Sequence, residues 1–207
     1  MRYKLVIWDI DGTLLNTFEG LIASYQYALR QMALPEKTDE EVKRFIGPSP
    51  ATIFKEKFGL SPEEAQRGSD IFRTRYKEHD LYKAYPYEGV LEVMQTLKDE
   101  GVLQAIATNK RQDYAVDIIR PFGMDAFCSP ILGTNNESTL TKTQMIEKCV
   151  QSLGIPDRHQ AVMIGDTPGD RNAAVAAGVS FVGVNYGFGF SDVEGYADTP
   201  TELLEYL

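Results

Sequence analysis

The chain begins with a short apolar run, Leu5-Val-Ile-Trp8, in which no polar residue interrupts the pattern. A run of this length without alternation is typical of a strand that is covered on both faces, as in a parallel sheet. We therefore predict a buried first strand over residues 3–9. The next convincing strand pattern begins only near residue 103.

Between these two strands the apolar positions follow helical spacing. Apolar residues recur every three or four positions from Phe18 to Leu29, and a shorter amphipathic stretch runs from Asp39 to Phe45. Ser61-Pro62-Glu63-Glu64 has the cap residue and first-turn proline of a helix start. We predict a helical subdomain over residues 15–83, and a return linker that ends at Gly89.

From residue 90 onward, predicted helices and strands alternate. The helices cover 90–100, 112–122, 142–153 and 170–177, and the strands cover 103–107, 130–132, 161–164 and 180–184. Strands separated by helices of this length form right-handed βαβ units, and the first strand must join the same sheet to be buried. The predicted fold class is α/β, with a doubly wound, Rossmann-like parallel sheet in a core of residues 1–14 and 84–207.

Composition is that of an ordinary globular protein. The 207 residues are 43% hydrophobic and 25% charged, which suits one core domain with a smaller companion. Thirty acidic residues against 21 basic ones give a formal charge of −9, which disfavours nonspecific binding to nucleic acid. Cys128 and Cys149 have neither metal-ligand spacing nor a disulfide framework, so we expect reduced, packed thiols.

The chain also lacks the apolar segments of membrane and secreted proteins. No apolar run approaches the roughly 20 residues that span a bilayer, and the first strand is too short for the core of a signal peptide. We expect a cytoplasmic protein with no membrane or nucleic-acid partner. The sequence does not indicate an oligomeric state.

Two carboxylates, Asp9 and Asp11, directly follow the first strand in the segment Asp-Ile-Asp-Gly-Thr13. Ligands of open parallel sheets bind beyond the carboxyl ends of the strands. Because two neighbouring anions repel each other and are costly to desolvate, the pair indicates a hard metal ion, separate acid and base roles, or both. The alternative is an ordinary solvated Asp-Gly turn.

Further polar residues follow the other predicted strands. One strand ends in Thr108-Asn109-Lys110, another in Gly165-Asp166-Thr-Pro-Gly-Asp170, and Lys142 opens a helix between them. Since the carboxyl ends of parallel strands share one edge, we expect six side chains to converge: Asp9, Asp11, Thr108, Lys142, Asp166 and Asp170.

Such a set suits the handling of phosphate. Carboxylates bind Mg²⁺ through oxygen, and a lysine, a threonine and backbone N–H groups offset phosphoryl charge. One carboxylate is then free to attack phosphorus, because carboxylates form aspartyl phosphates.

Four segments resemble, in order, the four motifs of the haloacid dehalogenase superfamily: Asp9-Ile-Asp-Gly-Thr13, Thr108-Asn109, Lys142 and Gly165-Asp-Thr-x-x-Asp170. The resemblance covers nearly the whole chain. Within the superfamily, the helical insertion is similar to a type C1 cap. Two further segments resemble those of the phosphoglycolate phosphatase-like branch: Arg44-Phe-Ile-Gly47-Pro-Ser49 and Gly183-Val-Asn-Tyr-Gly-Phe-Gly189.

The resemblance implies catalytic roles for the two acids of the first motif. Asp9 would be the nucleophile that forms an aspartyl phosphate, and Asp11 the general acid and then base. The metal would be Mg²⁺, held by a carboxylate oxygen of Asp9, the backbone carbonyl of Asp11, and Asp166. Asp170 would support the metal site or pair with the motif lysine.

The resemblance also implies the groups that bind the phosphoryl oxygens. Thr108 and Asn109 would contact these oxygens, Lys142 would neutralise them, and Gly12 would let backbone groups approach. Lys142 is followed by Thr143 where the family usually has proline, so Lys110 is a second candidate for the motif lysine.

The cap has two candidates for substrate selection, Arg44 and Ser49, although an exposed arginine on a helix is the commoner reading of such a position. The whole resemblance implies an Mg²⁺-dependent phosphatase that hydrolyses a small phosphorylated metabolite, a phosphate monoester like phosphoglycolate. A nucleotidase or pyrophosphatase would use the same core chemistry.

Two rival functions fit less well. A sugar phosphomutase of the β-phosphoglucomutase type would use Asp9 and Asp11, yet its relatives tend to have a run of serines where Thr108-Asn109 stands. A noncatalytic phospho-acceptor domain of the receiver type would be much shorter and would lack the helical insertion.

Overall fold

The computed structural model describes residues 1–135 and 139–207. They form two compact units: Met1–Asn16 together with Tyr85–Leu207, and the intervening Thr17–Ala84. In the part of the chain that the structure describes, no helix has the length and apolar character needed to cross a membrane.

The first unit is an α/β fold, as predicted. The strands of the chain are β1 (Leu5–Trp8), β2 (Leu15–Asn16), β3 (Tyr85–Pro86), β4 (Leu103–Arg111), β5 (Ile131–Thr134), β6 (Ala161–Gly165) and β7 (Ser180–Gly183). Five of them make a parallel sheet in the order β5-β4-β1-β6-β7. Strand β1 lies between β4 and β6, so the strand order reverses beside it. In such sheets, the crevice beyond this switch point is where ligands bind.

The helices of the chain are α1 (Phe18–Gln31), α2 (Asp39–Lys43), α3 (Pro50–Phe58), α4 (Pro62–Arg75), α5 (Val90–Asp99), α6 (Gln112–Ile119), α7 (Lys142–Ser152), α8 (Pro168–Ala177) and α9 (Leu203–Tyr206). Short 3₁₀ turns cover Arg120–Phe122, Met124–Ala126 and Arg158–Gln160, and a π-helical turn covers Tyr76–Asp80. Helices α1 to α4 belong to the second unit.

The core explains why the first strand has no polar residue. All four residues of β1 are fully buried, and Leu5 and Ile7 pack with Met145 of α7 and Met163 of β6. Trp8 is also buried, and its indole N–H donates to the Oε1 atom of Gln104 at 3.1 Å. Burial of apolar surface on both faces of β1 therefore fixes the centre of the sheet.

Several element boundaries differ from the sequence-based prediction. Strand β4 continues to Arg111, beyond the predicted end at residue 107, because the added residues are polar and give no apolar signal. Helix α6 ends at Ile119, since Pro121 lacks the N–H that a longer helix needs. Helix α8 begins at Pro168, earlier than predicted, because Pro suits the first helical position after the Thr167 cap.

Two short strands and two helices were missed altogether. The antiparallel pair β2 and β3 has only two residues in each strand, so neither strand has a readable period. Helices α3 and α9 were not predicted either. Both cysteines are free and buried, as expected.

The second unit is helical and has an aromatic core. The Tyr25 ring lies 5.6 Å from that of Phe45, 6.3 Å from that of Phe54 and 4.4 Å from that of Phe72. The predicted helix start at Ser61 is confirmed, since its side chain accepts from the N–H of Glu64 in a capping box. These contacts supply the unit with an apolar centre of its own.

Asp80 is a buried carboxylate near the C-terminal end of the helical unit. It accepts from Ser24 Oγ at 3.0 Å and from Arg75 Nε at 2.9 Å, and Lys83 Nζ lies 3.0 Å from it. Three partners of this kind compensate for the desolvation of the charge.

The packing of β1 yields a prediction about stability. Replacing Ile7 by alanine should lower the free energy of unfolding by about 2–5 kcal/mol, because the side chain is fully buried in the centre of the sheet. Chemical denaturation measures the change. The matched control is Val175→Ala, whose side chain is 70% exposed, and which should alter stability by less than about 0.5 kcal/mol. Equal effects of the two substitutions would contradict the assignment of β1 to the core.

Candidate active site

The carboxyl end of β1 places Asp9 in the switch-point crevice. Its backbone N–H donates to the carbonyl of Ile164 in β6 at 3.0 Å, which continues the sheet by one residue. The Asp9 side chain is 9% exposed, so its carboxylate is almost fully removed from solvent. A buried charge of this kind needs compensating cations or hydrogen bonds.

Lys142 provides the nearest positive charge. It is the first residue of α7, after a Thr141 cap that accepts from the N–H of Gln144. Its Nζ lies 3.0 Å from Oδ1 of Asp9 and is also paired with Oδ1 of Asp170. The structure thus places Lys142, rather than Lys110, beside Asp9.

Asp170 is held on the first turn of α8. Its Oδ2 accepts from the backbone N–H of Thr167 at 2.9 Å and from the Thr167 hydroxyl at 2.6 Å. A side chain on Gly165 would clash, since its Cβ would lie 2.5 Å from the Cβ of Asp170. Both oxygens of Asp170 are therefore engaged, one by Lys142 and one by the helix cap.

Asp166 follows β6 and is completely buried. Its Oδ2 accepts from the backbone N–H of Phe188 at 2.6 Å and from that of Gly189 at 3.3 Å. Its Oδ1 is buried and has no hydrogen-bond partner among the residues that the structure describes. An unsatisfied buried carboxylate oxygen is costly, so this atom is a candidate ligand for a cation.

The loop whose backbone N–H groups donate to Asp166 contains two glycines that other atoms approach closely. A Cβ on Gly187 would lie 2.3 Å from the Cβ of Asp166 and 2.4 Å from the carbonyl oxygen of Gly12, and a Cβ on Gly189 would lie 2.7 Å from the carbonyl oxygen of Asp166. Sequence reasoning found this segment only through its family resemblance and gave it no contact. The signal was present in the glycine spacing, but its meaning requires the tertiary contact.

Gly12 lies against the same carboxylate. Its φ is +79°, which favours glycine, and a Cβ there would lie 2.2 Å from Oδ2 of Asp166. Its expected role, to let backbone groups approach phosphate, stays a prediction. In the structure, its missing side chain lets the Asp166 carboxylate pack against the turn after β1.

Asp11 has a different lysine neighbour. Lys110 Nζ lies 3.0 Å from Oδ1 of Asp11, and the Lys110 side chain is buried. Thr108 is buried nearby, and its hydroxyl accepts from the Lys110 N–H at 3.3 Å. Asn109, between them, is exposed.

The other two candidates, Arg44 and Ser49, belong to the helical unit. Arg44 is exposed and follows α2. Ser49 caps α3, where its Oγ accepts from the N–H of Thr52 at 3.3 Å. The Ser49 hydroxyl thus has a structural partner that the sequence analysis did not foresee.

Two tyrosines also belong to this part of the first unit and were not singled out as a pair. The Tyr186 hydroxyl donates to the carbonyl of Thr13 at 3.2 Å, and its ring lies 4.7 Å from that of Tyr87. Burial raises the pKa of both hydroxyls, and the charge of Asp166 adds to the effect in each. Both phenols are therefore neutral hydrogen-bonding groups near the acids.

Burial and repulsion between neighbouring carboxylates raise the pKa values of two of these acids. Burial, together with the charges of Asp170 and Asp11, raises the pKa of Asp9 to about 6, although Lys142 acts in the opposite direction. Burial, Asp170 and Asp9 raise the pKa of Asp166 to about 8. Burial alone would lower the pKa of Lys142, but Asp170 and Asp9 outweigh it and keep the ammonium charged.

The same residues fit a divalent metal ion. One carboxylate oxygen from each of Asp9, Asp166 and Asp170 lies within 4.8 Å of the others. Since both oxygens of Asp170 are already engaged, Asp9 and Asp166 are the better donors and Asp170 supports Lys142. Oxygen donors of this kind match the preference of Mg²⁺.

Comparison with known proteins agrees with this geometry. Residues 6–184 match the family model described as haloacid dehalogenase-like hydrolase. A 5'-nucleotidase of Pseudomonas aeruginosa is 32% identical over 97% of this chain and 90% of its own length. A pyrophosphatase PpaX of Bacillus pumilus is 32% identical over 86% of this chain and 82% of its own.

A phosphoglycolate phosphatase of Haemophilus influenzae is 29% identical over 92% of this chain and 89% of its own length. Among solved structures, a predicted phosphatase from Clostridium acetobutylicum superposes with a TM-score of 0.92 at 27% identity, over 100% of this chain and 98% of that one. The similarity therefore includes both compact units.

The raised carboxyl pKa values give a prediction about pH. The folded protein keeps protons on Asp9 and Asp166 that the unfolded chain releases near pH 4, so metal-free stability should fall as pH rises from about 4 to 8. The slope is at most about 1.4 kcal/mol per pH unit for each carboxyl group. Urea denaturation in EDTA at several pH values measures it.

The control for this prediction is Asp166→Asn, which removes one titrating group and keeps the shape. It should flatten the dependence between about pH 6 and 8, where Asp166 ionises in the folded protein. A metal-free stability that rises over this range, or a slope unchanged in the variant, would contradict the assignment.

Proposed function

The chain belongs to the haloacid dehalogenase-like hydrolase family and is a phosphatase of that family, and we propose that it hydrolyses a small phosphate monoester through an aspartyl phosphate on Asp9, with Mg²⁺ as its cofactor. The observation that chiefly supports this proposal is the environment of Asp9. Its buried carboxylate has Lys142 Nζ 3.0 Å away, and one of its oxygens lies within 4.8 Å of a carboxylate oxygen of Asp166. This arrangement suits a nucleophile that attacks an anionic phosphoryl group.

In the first step, a carboxylate oxygen of Asp9 attacks phosphorus and the bond from phosphorus to the ester oxygen breaks. Asp11 gives its proton to that leaving oxygen. In the second step, a water oxygen attacks phosphorus while Asp11 takes up a proton of the water. The bond between phosphorus and Asp9 then breaks, which releases inorganic phosphate and restores both carboxyl groups.

The neighbouring residues manage charge during both steps. Lys142 stays protonated between Asp9 and Asp170, so it offsets the charge of the nucleophile and of the phosphoryl oxygens. Thr108 and Asn109 would donate to those oxygens. When bound, Mg²⁺ would be held by Asp9, the Asp11 carbonyl and Asp166, and would supply further neutralisation of phosphoryl charge.

The substrate we propose is a small phosphorylated metabolite, with a phosphoglycolate-like monoester as the first candidate. Relatives of similar identity are named for a nucleotide, for pyrophosphate and for phosphoglycolate, so nucleotidase and pyrophosphatase activities are the alternatives to test. The helical unit would serve as the cap, and its exposed Arg44 and its Ser49 would take part in substrate selection. A phosphomutase is disfavoured by Thr108-Asn109, where serines would be expected.

The first test is release of phosphate from phosphoglycolate, nucleoside monophosphates, sugar phosphates and pyrophosphate in the presence of Mg²⁺. Asp9→Asn should lower kcat by about 10³-fold or more, because the amide cannot act as the nucleophile. EDTA should abolish turnover, and added Mg²⁺ should restore it.

The matched control for this test is Asp99→Asn at an exposed position on α5, which should keep the wild-type rate. Turnover that persists in Asp9→Asn would refute the nucleophile. No release of phosphate from any compound by the folded, Mg²⁺-loaded wild type would refute the proposed activity.

The glycine loop around Asp166 gives a separate prediction about metal binding. Gly187→Ala should weaken Mg²⁺ binding by about 10-fold to 100-fold, because its Cβ would displace Asp166. Isothermal titration calorimetry of Mg²⁺ measures this directly. Gly169→Ala is the control, since its Cβ would meet only the Thr167 hydroxyl, at 3.4 Å. Wild-type affinity in Gly187→Ala would show that the loop does not position the ligand.

A further inference from the structure

A second buried lysine pairs with the other acid of the first motif. The Lys110 side chain is 3% exposed, and its Nζ lies 3.0 Å from Oδ1 of Asp11. Lys110 has no role in the two reaction steps proposed above. We propose that Lys110 is a positioning residue, which holds the Asp11 carboxylate at the place where it exchanges protons with the ester oxygen. This inference rests on the proposed function, because it concerns the acid and base of that reaction.

The backbone of Lys110 is fixed by its surroundings. Its N–H donates to the Thr108 hydroxyl at 3.3 Å. A Cβ on Gly133 of β5 would lie 2.6 Å from the Lys110 carbonyl oxygen, so only glycine permits this approach. The Gln112 side chain donates to the carbonyl of Ile131 at 3.0 Å and accepts from the Gly133 N–H at 2.6 Å. The lysine therefore extends from a closely packed, hydrogen-bonded end of β4.

The partner carboxylate is set differently. Asp11 lies in the turn after β1, where the Gly12 N–H donates to the Leu15 carbonyl at 2.9 Å, and its side chain is 18% exposed. The turn fixes the backbone of Asp11, but the rotamer of a partly exposed side chain needs a contact of its own. The charge-assisted contact with the buried Lys110 ammonium is one such contact.

The two buried lysines at this sheet edge thus form ion pairs with different acids. Lys142 is paired with Asp9 and Asp170, and Lys110 with Asp11. If Lys110 only neutralised phosphate, its loss would affect all esters alike. If it positions Asp11, its loss should affect the esters whose leaving oxygen needs a proton, since small displacements of a catalytic group cost rate steeply.

The experiment compares an alkyl phosphate with p-nitrophenyl phosphate, whose leaving group departs without protonation. Lys110→Met should lower kcat/KM for the alkyl ester at least about 10-fold more than kcat/KM for the aryl ester. The comparison uses kcat/KM because it reports formation of the aspartyl phosphate, whereas kcat also includes the later hydrolysis step, which uses Asp11 for both esters alike. Lys110→Arg should recover part of the alkyl rate. Adding Lys110→Met to Asp11→Asn should change the aryl rate by less than about twofold.

Lys148→Met is the control, since this lysine is exposed on α7, and it should leave both rates unchanged. Equal losses on the two esters, or independent multiplicative effects of Lys110→Met and Asp11→Asn, would overturn the positioning role. If the wild type hydrolyses neither ester, the substrate panel above decides the proposed function. In that case, thermal unfolding of the wild type, Lys110→Met, Asp11→Asn and the double variant tests the contact between Lys110 and Asp11. Non-additive shifts in Tm support the contact, and additive shifts overturn it.

Discussion

The structure of the site depends on the burial of acids at one edge of a parallel sheet. Three of the acids are almost fully buried, namely Asp9, Asp166 and Asp170. A fourth, Asp11, lies two residues after Asp9. Two buried lysines face these four carboxylates, which leaves two negative charges in excess when all six groups are ionised. Burial, together with repulsion among these carboxylates, raises the pKa values of Asp9 and Asp166. A divalent cation would offset both effects, so the electrostatics of the site and the proposed chemistry have a common cause.

The fold supplies this burial through the position of β1. Strand β1 lies between β4 and β6, so the residues at the carboxyl ends of all three strands lie close together. Polar groups far apart in sequence therefore meet at one edge of the sheet. Close packing then requires glycine at Gly12, Gly165 and Gly187, where a Cβ would lie within about 2.5 Å of an aspartate atom. The site is thus built by backbone approach as much as by charged side chains.

The two lysines give the acids different surroundings. Asp9 shares the Lys142 ammonium with Asp170, whose other oxygen is engaged by the Thr167 cap, so Asp9 belongs to a network held by the starts of two helices. Asp11 instead contacts Lys110, which extends from the end of β4. Neighbouring acids with separate cations can take separate roles, one as nucleophile and the other as acid and base.

The sequence by itself determined the β1 strand, the α/β alternation and the acids at the strand ends, because apolar runs, helix caps and turn residues are local signals in consecutive positions. It also indicated the family through four short motifs. Only the tertiary structure decided which lysine serves which acid, that Gly12 packs against Asp166, and that the loop containing Phe188 donates to the same carboxylate. The polar end of β4 and the two-residue strands were likewise unreadable. These features are contacts between residues far apart along the chain, and no local period encodes such distances.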